Sequence, residues 1–87
     1  MKSIKEISDE ILGECFNLRD LDKYMTEAGY HSDLPDADLD TIAKDEAIIY
    51  LGKEEDAEVI IDLLITRKSP LPEAFRVIVK GINELDG

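Results

Sequence analysis

Carboxylates at alternate positions, Asp36, Asp38 and Asp40, are the residues of this 87-residue sequence whose spacing most suggests chemistry, because EF-hand calcium loops open in that way. The rest of the loop fails the test. Its sixth position needs glycine and is Thr41, its eighth needs a bulky aliphatic residue and is Ala43, and its twelfth needs a bidentate glutamate and is Ala47. A capped helix start with exposed acids accounts for the same residues. His31, the only histidine, has Asp33 nearby as an orienting acid, yet no recognisable nucleophile motif accompanies the pair. Cys15 follows Ile11 at helical spacing and reads as a small core residue. One histidine and one cysteine also fall short of the ligands a structural zinc site needs. General acid–base pairs require a cleft of controlled polarity, for which so short a chain has little room. The expectation is no enzyme, no cofactor and no metal.

The charge balance points elsewhere. There are 21 acidic against 10 basic residues, a formal net charge of −11, and residues 33–62 alone carry eleven acids against two bases. Such a field repels phosphates, so direct contact with nucleic acid or an anionic membrane is disfavoured, and neither a basic patch nor a glycine-rich phosphate loop is present. A basic protein surface would instead be drawn in. The amino terminus runs straight into charged residues, and no apolar run approaches the roughly 20 residues of a membrane span. Since a lone cysteine forms no internal disulfide, the chain suits a reducing compartment, and the cytoplasm is the expected location.

The elements that would position these side chains read as helices. Ser3 with Glu6 forms a capping-box pattern before Ile4, Ile7, Ile11 and Cys15, predicting a first helix over about 4–15. Asn17 and Asp20 look like a second cap, followed by Leu18, Leu21, Met25 and Ala28 and closed by Gly29. Asp36 or Asp38 could cap a third helix carrying Leu39, Ile42, Ala43, Ala47 and Tyr50 and ending at Gly52. Acids at 54–56 and Arg67-Lys68 bracket a fourth helix, about 54–67, as a helix dipole would favour. Its wide apolar arc marks it as the central element. After Pro70 and Pro72, the stripe Phe75, Ile78, Ile82 and Leu85 predicts a fifth helix.

Residues 47–51, 59–65 and 77–79 are rich enough in β-branched side chains to suggest strands. Helix-type capping around them, and the lack of a hairpin dipeptide between them, favours helix. The predicted fold is therefore all-α, a compact bundle of about five short helices in one domain over 1–87.

Function is expected to lie in binding. An acidic inhibitor would cover the basic active site or nucleic-acid-binding cleft of a partner, in the manner of immunity proteins against nuclease toxins or phage anti-defence proteins. Its contacts would be Asp33, Asp36, Asp38, Asp40, Glu46, Glu54 and Glu55, with Tyr30 and Tyr50 as buried anchors in the complex. The alternative is a helical adaptor or homodimeric module in which charge serves solubility alone. Ile48, predicted to point away from the third helix's main stripe, would then mark its apolar contact surface.

Overall fold

The first two predicted caps form as the sequence suggests. The computed structural model describes residues 1–32, 38–53 and 57–85. Helix α1 spans Ile4–Ile11, with the Ser3 side chain accepting from the Glu6 backbone N–H and the Glu6 carboxylate accepting in return from the Ser3 N–H. Helix α2 spans Leu18–Glu27, with the Asn17 side-chain Oδ1 accepting from the Asp20 N–H at 2.8 Å. Gly29 lies just beyond it at φ +102°, the left-handed conformation glycine adopts at least cost. The carboxylate of Glu10 accepts from both the Lys2 ammonium and the Tyr24 hydroxyl, joining α1 to α2 at the surface.

The five-helix bundle is not what forms. Among the described residues three α-helices and a short 3-10 helix (Pro72–Ala74) accompany a five-stranded antiparallel sheet: β1 (Cys15–Asn17), β2 (Tyr30–Ser32), β3 (Ala47–Gly52), β4 (Glu58–Arg67) and β5 (Arg76–Leu85), in the order β1-β5-β4-β3-β2. Helix α3 covers only Leu39–Asp45, and the first helix stops at Ile11, four residues short of Cys15. All three β-branched runs prefer the extended backbone, where their stiff side chains pack on a pleated surface instead of crowding a helical turn. The supposed fourth helix is the central strand β4, and its acids at 54–56 lie outside the described residues.

Burial along β4 alternates with the pleat: Val59, Ile61 and Leu63 are buried, whereas Glu58 and Leu64 are exposed. Ile48 and Tyr50 of β3 and Val77, Val79 and Ile82 of β5 share that inner face. Ile7 and Ile11 of α1, Leu18, Leu21 and Met25 of α2, and Ile42 of α3 join them in one hydrophobic core. The helices therefore cover one side of the sheet. Ile48, expected to point outward, is 6% exposed and belongs to this core.

The stripe that suggests a fifth helix mixes two faces, because Phe75 and Ile82 are buried in the core while Ile78 and Leu85 lie on the opposite side of β5. Asp62 pairs with Gly81 and Leu63 with Val79, so Lys80 is an extra residue on β5. That insertion places Val79 and Ile82, three residues apart, on the same face.

Candidate protein-binding surfaces

The two tyrosines expected to anchor a partner are fully engaged within the fold. Tyr50 is 0% exposed, and its hydroxyl donates to Asp22 Oδ1 at 3.2 Å. Burial, then the charge and hydrogen bond of Asp22, push its phenol well above the ordinary tyrosine range. Tyr30 is 2% exposed, with its hydroxyl donating to the Lys2 carbonyl at 2.8 Å. Neither ring is free to enter a partner's pocket, because strand pairing turns both toward the helices.

The acids divide by backbone role. Asp38 caps α3, its Oδ1 accepting from the Thr41 N–H at 3.3 Å and from the Thr41 hydroxyl at 2.5 Å. Asp40 sits exposed in the first turn of that helix. Glu46 ends it at φ 54°, with its N–H donating to the Ile42 carbonyl and its own carbonyl accepting from the Leu63 N–H at 2.8 Å. Its carboxylate is left in solvent. Asp33, Asp36, Glu54 and Glu55 lie outside the described residues. Among the described residues the ion pairs are Lys2–Glu10 and Arg19–Glu73, and neither involves the acid-rich middle of the chain.

The residues with catalytic potential are not brought together. Cys15 is exposed on β1 and His31 is exposed on β2, at opposite edges of the sheet, so four strand spacings of about 4.8 Å each, roughly 19 Å, separate them. Among the described residues no group of three or more His, Cys, Asp or Glu side chains is placed to hold a metal ion. No helix among them is long and apolar enough to cross a membrane.

The chain matches no family model, no curated protein and no solved structure. Its surfaces must therefore speak for themselves.

The largest feature missed in the sequence is the sheet face turned away from the helices. By register it carries Ile49 and Leu51 of β3, Ile60 and Leu64 of β4, and Ile78 and Leu85 of β5. Leu64 is 47% exposed and the other five are partly buried. An antiparallel sheet with one wet face should alternate apolar and polar residues, whereas Ile48 to Leu51 and Val59 to Ile65 are apolar almost throughout. That failure to alternate leaves apolar side chains on both faces of these strands.

Asp62 stands in the middle of this face, half-buried, between Ala47 of β3 and Gly81 of β5. Glu58 lies toward one end and Arg67 and Arg76, paired in register, lie at the other.

Proposed function

We propose that this chain is a non-catalytic, cytoplasmic binding domain that masks a basic surface on another protein, such as the active site or nucleic-acid-binding cleft of a nuclease. What supports the reading is that the described acids in the middle of the chain make no ion pair among the described residues. Asp40, Asp45, Glu46 and Glu58 are all exposed, and no cation pairs with them among the described residues. With a formal net charge of −11, the chain presents a field that accelerates encounter with a cationic partner and turns away nucleic acid. Immunity proteins and phage anti-defence proteins work by this kind of masking.

Capture experiments test the reading. Immobilised chain is exposed to extract at low salt, beside a variant carrying Asp40→Lys, Asp45→Lys and Glu46→Lys. These acids are exposed and none supplies the side-chain cap of α3, so the fold should survive the exchange. The expected result is a basic protein retained by the native chain and released by the variant or by high salt. A retained protein that is acidic, or one indifferent to both changes, contradicts the reading.

A further inference from the structure

Isolated carboxylates are costly inside an apolar contact unless a cation meets them, so the place of Asp62 among aliphatic side chains says something about what covers it. We propose that the sheet face turned away from the helices is the docking site of the basic partner, with Asp62 receiving a lysine or arginine side chain beside Ile49, Ile60, Leu64 and Ile78. This inference rests on the masking function above and assigns its contact surface.

Three observations about Asp62 carry it. The row before Asp62 holds Ile49, Ile60 and the polar Asn83, and the row after it holds Leu64 and Ile78, so an inserted cation would meet apolar contact on most sides, the usual setting of a binding hot spot. The flanking positions in register are the small residues Ala47 and Gly81, and a Cβ added at Gly81 would lie 3.4 Å from Asp62 Oδ2. Small neighbours leave the carboxylate reachable from above. Asp62 also makes no ion pair among the described residues, its one side-chain contact being the long 3.5 Å approach of Asn83 Nδ2. A carboxylate can accept several hydrogen bonds, so most of its capacity is unused.

The face approaches the size such a contact requires. Ten residues each in β4 and β5, six in β3 and three each in β1 and β2, at about 3.3 Å per residue and 4.8 Å per strand, give on the order of 500 Å², against about 800 Å² per partner in a standard interface. The remaining charges set the orientation. Glu58 at one end favours a basic rim on the partner, while Arg67 and Arg76 at the other favour an acidic or neutral one. A second copy docked with its strands reversed would match those ends but would bring two Asp62 carboxylates together at the centre, which weighs against self-association.

The test uses the full chain and two probes, a display library of random peptides and the basic protein retained in the capture experiment. Asp62→Asn preserves shape and removes the charge. Ile60→Lys places a repelling cation beside Asp62, and far-ultraviolet circular dichroism confirms that each variant keeps its strands. The expected result is enrichment of peptides with lysine or arginine between apolar residues, with both probes binding Asp62→Asn at least tenfold more weakly and Ile60→Lys hardly at all. Enriched peptides without a basic residue, or no enrichment, overturn the proposal, as does unchanged binding of either probe to both variants. If the retained protein ignores the sheet-face variants yet is lost on reversal of Asp40, Asp45 and Glu46, the masking function stands and this docking site falls. Sedimentation showing a native dimer dissolved by Ile60→Lys would place a second copy on the face and likewise overturn it.

Discussion

Ile61 and Leu64 distinguish the strand from the helix more sharply than any other pair in β4. Three residues apart, they would share one face of a helix and both be core, but in the pleated strand they point to opposite sides. Ile61 is 0% exposed, flanked in register by buried Ile48 and Ile82, so truncating it leaves a cavity on the helix-covered side. Ile61→Ala should cost about 2–5 kcal/mol. Leu64 is 47% exposed and opens no cavity when cut back. Only about half of a leucine's burial is lost there, so Leu64→Ala should cost about 1 kcal/mol or less. For 87 residues the total stability is on the order of 4–13 kcal/mol, which makes the first change a large fraction of the whole. The chain has no tryptophan, so urea and thermal unfolding are followed by circular dichroism. At about 4–8 °C per kcal/mol, the two variants should melt roughly 10–20 °C apart. Equal, large losses at both positions would refute the assignment of β4 as a one-sided strand.

Other positions give independent checks. Tyr50→Phe should lose about 0.5–1.5 kcal/mol in denaturant unfolding, since it deletes one hydrogen bond to Asp22, which can turn to water instead. Tyr50→Ala should lose about 3–5 kcal/mol while leaving partner dissociation from the folded protein unchanged; a faster dissociation would return the ring to the interface. Gly29→Ala should destabilise by at least about 1 kcal/mol in the same assay, because φ is +102° and the new Cβ would lie 2.7 Å from Met1 Cγ and 3.1 Å from Met1 Cα. Lys2 and Tyr24 hold the Glu10 carboxyl below the usual carboxylate range. A carboxyl depressed in the folded state adds stability that is complete above its unfolded pKa, about 4.3, and is lost as pH falls through the lower folded value. Glu10→Gln should therefore flatten the acid limb of a stability-against-pH curve, and an unchanged limb would count against the contact.

What could be read from the sequence was local. Ser3 with Glu6, Asn17 with Asp20, and Asp38 each satisfy backbone N–H groups within three residues, and such short-range chemistry is written in consecutive positions. The strands depend on pairings between distant segments, and two features disguised them. Apolar residues on both faces of β3 and β4 erased the period-two alternation, and the apparent helical stripe Phe75, Ile78, Ile82 and Leu85 drew on both sides of β5. Arg67-Lys68 after an apolar run then looked like helix-end electrostatics when they lie at and just beyond a strand end. The cost fell on the candidate site. Every residue of the face turned away from the helices lies in a segment whose helical reading hid that face, so the acids were visible but the surface around Asp62 was not.

Under the proposed function, exposed acidity brings a basic protein to this chain. The most direct test is the association rate of the chain with the retained partner, measured by stopped flow between about 10 and 150 mM salt, a range over which the screening length falls from about 30 to 8 Å. The account predicts that association slows by about tenfold or more across that range while dissociation changes little, because exposed charges act chiefly on encounter. An association rate that stays flat with salt would contradict it.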